Sequence, residues 1–475
     1  MVAALSAYRL TAQCPNGTPP PCGRTAVSAF SVAVLPFVNR ARDSSQTPLA
    51  EGLADQISAN LGQVARLLLK PPASVRFVLG RTPREPARLG HALGSRWLVD
   101  GQLLASGGSV RVSVQLIDAS SQRVRWSGVF QRPTDDLFAV ISAVADSVAT
   151  AVVGTLAPAE RVRLVRRPTT SNAALIAYTR GIAALHRYDQ PHVQSAASEF
   201  ERAVAADSTF APAWAGLAEA IAWQDLWIPP RQLMPRARAA AQRALSLDPS
   251  SSDALAALAV VVENYDWDPV QAESLSRAAV HGDSTNARAW LALGEALIAM
   301  GRPGEAVPAY HAALAADTLD EQVAIEASGG LNIAGRTDEA LEVTRRWKRL
   351  LPQADNWDFD EALILVGAHR CASSPPPRPF GPMALACAGQ VEAARSIVDT
   401  IIAQSERGQH YMAPGAIAWM YIGLGDKESA LHWLARAVED RNFMIAFARV
   451  DPIWDSLRGD PRFTALLERI RPEGR

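Results

Sequence analysis

The sequence predicts an α+β protein in which a small mixed α/β domain precedes an α-helical superhelix of stacked helix pairs. Three observations point there. Short apolar runs and an alternating meander are confined to the first third of the chain, and helical apolar spacing dominates from about Ser171 onward. The segment GRPGEA at Gly301 also returns as GRTDEA at Gly335, 34 residues later. A period of that length marks antiparallel helix pairs, each unable to bury its apolar face alone and therefore stacked on its neighbours.

Residues 1–26 read as a linker or the remnant of a membrane-proximal segment. MVAALSAYRL has no basic n-region and Arg9 interrupts its short apolar stretch, so a cleavable signal is not expected. Pro, Gly, Thr and Cys then fill residues 11–26 and disfavour both helix and ladder. The α/β domain is expected over residues 27–158. SVAVLPFVN (Ser31 to Asn39) suits a buried strand. Leu49, Leu53, Ile57, Leu61 and Val64 carry the three-to-four spacing of a helix over Leu49 to Leu69. VRFVL (Val75 to Leu79) reads as a second strand and PARLGHALG (Pro86 to Gly94) as a second helix. Trp97 to Arg132 reads as a meander, turning at Ser106 to Gly108, with Val110, Val112, Val114 and Leu116 on one face. A helix over Asp135 to Leu156, with Leu137, Ile141, Val144 and Val148 on one side, closes the unit.

The helical array is expected over residues 171–475, ending in a C-terminal helical cap. Within Ala287 to Asp320, Trp290, Leu293, Gly294, Leu297, Ala306, Tyr310 and Ala313 fill the signature places of the tetratricopeptide consensus. Ala327, Leu331, Ala340 and Pro352 follow in the next copy. Looser copies surround these two: Phe200 with Ala203, Ala237 with Ala244 and Pro249, then GQVEAA at Gly389 and GDKESA at Gly425.

Composition narrows function. With 47 Lys+Arg against 48 Asp+Glu the formal charge is -1, so no global positive field exists for nucleic acid, and none is expected as a partner. The run RVRLVRR (Arg161 to Arg167) reads as a solvated face or linker. No stretch of about 18 apolar residues occurs, so no helical membrane span is expected. Cys14 and Cys22 are near enough to pair in an oxidising compartment, whereas Cys371 and Cys387 read as buried free thiols in alanine-rich helices.

SVAVLPF, LAEGLADQIS, the meander WLVDGQLLASGGSVRVSVQLIDASSQRVRWSGVF and the helix DDLFAVISAVADSVATAV together resemble the TolB-N-terminal-like (FlgO-like) domain that precedes tetratricopeptide repeats in bacterial signalling proteins. NYDWDP (Asn264 to Pro269) and VDPIWDSLRGDPRF (Val450 to Phe463) are similar to segments of the same group. The resemblance implies the sensor half of a bacterial serine/threonine kinase or adenylate cyclase-type regulator, close to a membrane, on its cytoplasmic or extracytoplasmic face. This chain departs from that pattern by carrying no GxGxxG, VAIK, HRD or DFG, so kinase activity does not transfer.

No enzyme, cofactor or metal is expected. The eight histidines form no HxH, HExxH or His–Cys spacing. Asp135 with Asp136 read as helix-start carboxylates, and Asp358 with Asp360 as loop carboxylates. An enzyme assembled from residues scattered in sequence stays open. Trp223, Trp227, Tyr265 and Trp267 read as loop aromatics that pack as cover, with partner anchoring as the alternative. Function is expected in binding a protein or peptide on the concave face, from first-helix places two, five, nine and twelve. These are Arg288, Leu291, Glu295 and Ile298, then Gln322, Ile325, Gly329 and Asn332. The expected role is a non-catalytic scaffold or sensor module. A regulatory fragment of a membrane-bound kinase or nucleotidyl cyclase and an independent envelope-associated protein are the alternatives.

Overall fold

The structure, a computed structural model, describes residues 27–41, 46–64, 66–133, 136–164, 167–185, 189–350, 356–371, 381–407 and 411–470. The expected pairing of Cys14 with Cys22, the N-terminal remnant, Asp135 and Pro352 lie outside the described residues.

The first part is a six-stranded mixed sheet. Its elements run β1 (Ser31–Val34), β2 (Val38–Asn39), α1 (Thr47–Gly62), β3 (Leu68–Leu69), α2 (Pro72–Leu79), α3 (Pro86–Leu93), β4 (Trp97–Ser106), β5 (Ser109–Asp118), β6 (Arg123–Pro133), α4 (Leu137–Val153) and α5 (Pro158–Leu164). Strand order is β3-β1-β4-β5-β6, with β2 also on β4. β1 is parallel to β3 and β4, and β4, β5 and β6 form the expected antiparallel meander. One face buries Val32, Val99, Val112 and Val114 under Leu53, Ile57 and Leu61 of α1 and Ile141, Val144 and Val148 of α4. The other buries Ala33 and Leu98 under α2 and α3.

Two expectations here are corrected. Val75 to Leu79 is helix, not strand: Pro71 and Pro72 preset its first turn, and Val75 and Val78, three apart, share the face laid on Ala33 and Leu98. The preceding helix ends at Gly62 instead of running to Leu69, and Leu68–Leu69 supplies the parallel edge strand. β-branched content had outweighed the proline signal in the first case.

The array follows as α6 (Asn172–Leu185) with α7 (Gln190–Ala206), α8 (Ala211–Ala222) with α9 (Pro230–Leu247), and α10 (Ser252–Val261) with α11 (Pro269–Gly282). Next come α12 (Ala287–Ala299) with α13 (Pro303–Ala316), and α14 (Glu321–Ile333) with α15 (Thr337–Leu350). After α16 (Asn356–Gly367) come α17 (Gly381–Cys387) with α18 (Val391–Glu406), α19 (Pro414–Gly423) with α20 (Lys427–Asp440), and α21 (Pro461–Arg469). The close approach of helices has a local cause. Tyr310 of α13 lies where Cβ atoms on Gly294 of α12 and Gly330 of α14 would sit 2.7 and 2.1 Å from its ring. Phe200 of α7 occupies the same place between Gly181 of α6 and Gly216 of α8. A large ring facing two glycines locks three helices at one point, which is why this pairing recurs along the array.

Cys371 and Cys387 are corrected from free thiols to a disulfide, with Cα atoms 5.0 Å apart. It ties the segment after α16 to the end of α17. Asp358 and Asp360, expected in a loop, lie on α16. Packing is the role the structure gives Trp267, which is buried among C-terminal residues.

Among the described residues the sheet meets the array through α1 and through α2. Gly52 of α1 abuts Thr179 of α6 so closely that a Cβ would clash. Elsewhere Phe77 of α2 meets Trp347 of α15 edge-on at 5.1 Å between ring centroids, and Trp347 stacks on Trp357 of α16 at 5.5 Å.

Candidate binding chamber

The first helices of successive pairs line the inside of the superhelix, and the chain's tail returns to meet them. Arg441, just past α20, donates from Nη1 to the Tyr265 carbonyl oxygen at 2.6 Å, and its guanidinium lies over the rings of Tyr265 and Trp267. Arg231 donates from Nε to the Glu439 carbonyl oxygen at 2.7 Å. These bonds, across 176 and 208 residues, fasten the tail to α9 and to the π-helical turn Val262–Asp266. Phe443, Met444, Phe447, Asp451 and Ile453 of the tail thereby join α8, α10, α12, α14 and α16 around a cavity of about 370 Å³.

All the sequence-predicted face residues fall in this wall: Arg288, Leu291, Glu295, Ile298, Gln322, Ile325, Gly329 and Asn332. They do not contribute alike. Leu291 and Ile298 are each 1% exposed and serve the core that also holds Leu331 and Tyr310, so they shape the wall more than they offer contact. Asn332 is buried as well, its Oδ1 accepting from Thr337 Oγ1 at 3.0 Å. Arg288, Glu295, Gln322 and Ile325 keep partial exposure.

Arg288 is the one cationic side chain of the wall among the described residues. It spreads its charge over three carboxylates: Glu326 at 3.4 Å, Asp320 at 3.7 Å and Glu219 at 3.8 Å. Trp223 lies under the guanidinium at 5.3 Å. Gln322 holds Glu326 from the next turn, Nε2 to Oε1 at 3.0 Å.

Sequence reasoning missed most of the acidity. Glu219, Asp225, Asp253, Glu295, Glu326, Asp360 and Asp451 all line the wall. Burial raises Glu219 to about 7, with Arg288 acting against it, and raises Asp225 to about 8. Burial likewise raises Asp360 and Asp451 to about 7. Glu295 is held well above the carboxylate range by burial and then by the charges of Glu326 and Glu263. Three polar atoms of the wall are shut from solvent without a hydrogen-bond partner: Asn264 Oδ1, Asp360 Oδ2 and Trp419 Nε1. Glu326, one residue past Ile325, was within reach of the repeat register. Asp451 was not, since only closure brings the tail inward.

The arrangement offers charge and shape, and no nucleophile-and-base pair is assembled in it among the described residues. None of the described histidines lines the chamber. Among the described residues no three His, Cys, Asp or Glu side chains converge to hold a metal ion. Asp358 faces elsewhere, bound by Lys348 Nζ at 2.5 Å.

Comparison with known proteins supports the repeats. A family model described as tetratricopeptide repeat matches residues 268–327, the stretch from the start of α11 into α14. A protein of Rhizobium meliloti (strain 1021) named "Putative adenylate cyclase 3" is 28% identical over 187 residues, covering 39% of this chain. The chain spans 32% of that relative's length. Among solved structures, a thermophilic tetratricopeptide repeat protein from Thermus thermophilus is 19% identical, covering 41% of this chain and 100% of its own, with a TM-score of 0.34. One from Parabacteroides merdae ATCC 43184 is 11% identical, covering 62% of this chain and 98% of its own, with a TM-score of 0.31. TolB from Acinetobacter baumannii is 20% identical, covering 27% of this chain and 30% of its own, with a TM-score of 0.22. No described helix is long and apolar enough to cross a membrane.

Proposed function

We propose that this chain is a non-catalytic binding module of a bacterial signalling system, a scaffold or sensor whose chamber receives part of a protein partner. Tetratricopeptide repeats make a protein-protein interaction scaffold the natural role of the array. The observation that carries the finer reading is the gathering of the concave-face residues, from Arg288 to Asn332, into one wall with the returning tail. Polar groups on that wall fix orientation and its apolar surface contributes affinity. The contacts of the sheet with α6 and with α15 support a sensor role for it.

The test is affinity capture with the full chain beside a variant carrying Arg288→Ala, Glu295→Gln and Asn332→Ala, with folding checked by circular dichroism. Loss of a retained protein from the folded variant supports the reading. Equal retention by both forms refutes a chamber-centred site.

A second reading is favoured by the similarity to the "Putative adenylate cyclase 3" of Rhizobium meliloti: the chain is the regulatory part of a nucleotidyl cyclase. A native polypeptide whose intact mass exceeds 50.9 kDa by a catalytic domain supports it. A native mass equal to that of this chain counts against it.

A further inference from the structure

Beyond the general binding role, the chamber has a chemistry of its own. Seven carboxylates, from α8, α10, α12, α14, α16, the turn after α8 and the returning tail, face it, against the single guanidinium of Arg288. The chain as a whole is nearly neutral, at -1, so this imbalance is local. Arg288 does not cancel it: its ion pairs with Glu326, Asp320 and Glu219 lie at 3.4 to 3.8 Å, and Glu295, Asp225 and Asp360 form no ion pair among the described residues.

Acidity alone does not make a site. Here the enclosed atoms add a second, separate demand. Among the described residues, Asp360 Oδ2 and Asn264 Oδ1 are acceptors sealed from solvent with no donor on them, a condition that costs stability. Asp225 is 8% exposed, lines the same wall, and accepts only from the backbone of its own turn. Glu263, 2% exposed and with Oε2 unpartnered, adds its negative field to Glu295 and Tyr310 of the wall. A ligand with two or more N–H groups supplies the donors that the Asp360 and Asn264 side chains of the wall lack.

The rest of the wall says what carries those N–H groups. Trp223, Phe359, Trp419, Phe443 and Phe447 present ring surface, which suits an apolar body and a cation held against aromatic faces. The volume, about 370 Å³, falls at the lower end of small-molecule cavities, typically ~300–1,000 Å³. The tail bars a long peptide from lying along the concave face, while leaving room for one compact group. A bare metal ion is not favoured, because no three of the described carboxylates converge on a point.

We propose that the chamber binds a single organic ammonium or guanidinium group on an apolar body, seated between Glu295, Asp360 and Asn264 and covered by the aromatic residues of the tail. The proposal rests on the chamber being the receptor site. It names the chemistry recognised there, which a free small molecule or the lysine-like tip of a protein partner can both supply.

The experiment is calorimetric titration of the full chain at about pH 8, where ordinary alkylamines stay protonated. The probes are phenethylamine, its neutral counterpart phenethyl alcohol, the anion phenylacetate, and calcium chloride. Phenethylamine is expected to bind one per chain, and both alcohol and anion to bind at least about tenfold more weakly, as befits a charge-assisted hydrogen bond. Glu295→Gln and Asp360→Asn are each expected to weaken the amine by about tenfold while leaving the circular dichroism spectrum intact. Arg288→Gln, which removes the competing cation, is expected to tighten amine binding, and weaker binding in that variant counts against the proposal. Equal binding of amine and alcohol, preference for the anion or for calcium, or insensitivity to both carboxamide variants overturns the proposal. Competition by the peptide acetyl-Phe-Lys-Phe-amide assigns the ammonium to a partner's side chain, and absence of competition assigns it to a free small molecule. If no amine binds while protein capture still depends on Arg288 and Asn332, the cation chemistry falls and the receptor reading stands. If amines bind while capture fails, the reverse holds.

Discussion

Ser74 Oγ donates to Asp317 Oδ1 at 2.5 Å, across 243 residues of sequence, and both side chains are buried. Ser74 belongs to α2 on the sheet. Asp317 ends α13, three residues before Asp320, which caps α14 and faces Arg288. A short covalent stretch therefore joins the contact with the sheet to the charge cluster in the chamber. Burial raises Asp317 to about 6, with the Ser74 bond acting against it. Ser74→Ala removes one of two donors to Asp317 Oδ1, leaving the Leu319 N–H at 3.2 Å, and is expected to cost about 0.5–1.5 kcal/mol. Urea denaturation measures the loss, and hydrogen exchange should show faster opening of α2 with little change in α19 and α20. Equal acceleration at both places would sink the idea of a local brace.

Adjacent glycines in α14 are expected to answer oppositely to alanine. A Cβ on Gly330 would stand 2.1 Å from the Tyr310 ring, whereas nothing lies within 4 Å of one on Gly329. Gly330→Ala is expected to destabilise by about 1–3 kcal/mol through overpacking. Gly329→Ala is expected to stabilise by about 0.5–1 kcal/mol, because a helix-interior glycine gains from a side chain when space allows. Thermal denaturation of the two variants decides it.

Stability should fall as pH rises. Glu219, Asp360 and Asp451 hold their protons to about 7 and Asp225 to about 8 in the folded chain, while the unfolded chain releases them near the ordinary 3.8 to 4.5. The folded state thus binds more protons between those limits. The contribution is fully present below about pH 4, shrinks as pH climbs, and is gone above about pH 8. Melting temperature from pH 5.5 to 8.5 is expected to drop by several degrees, at about 2–4 °C per kcal/mol. Asp225→Asn should flatten the slope. A slope of the same size in Asp225→Asn assigns the effect to other groups.

Among the described residues, reduction is expected to loosen the region around α16 and α17. The Cys371–Cys387 bridge closes a loop of separation 16, for which chain entropy gives about 3 kcal/mol. Cys371→Ser with Cys387→Ser, or treatment with dithiothreitol, should lower the melting temperature. Proteolysis should then begin between α16 and α17. An unchanged digestion pattern argues against the bridge.

Repeat register was legible because its physics is local. A glycine facing a ring and a small residue facing a helix recur at fixed spacing, so spacing alone places Gly294, Ala306 and Tyr310, and the concave positions follow by counting. Closure was not legible. Nothing periodic in Phe443 to Ile453 says that the tail turns inward, and hence Asp451 could not be counted into the site. The acidity of the wall was only partly legible: Asp253 follows Glu219 and Asp360 follows Glu326 at the 34-residue period, but Asp225 and Asp451 stand off that register, and only curvature brings all of them to face one another. Val75 to Leu79 was misread where β-branched composition and a diproline pointed to different structures, and the diproline prevailed. Cys371 and Cys387 gave no signal, since 16 residues of separation are compatible with contact or with none.

The bond from Arg441 to the Tyr265 carbonyl also bears on how such a chain can change over generations. Open repeat arrays tolerate duplication or deletion of whole copies, because each copy meets only its neighbours. Here a gain or loss of one helix pair between α12 and α20 would carry Arg441 past its acceptor and break the ring. A change in copy number would therefore cost the closure, whereas substitutions in the wall would leave it intact.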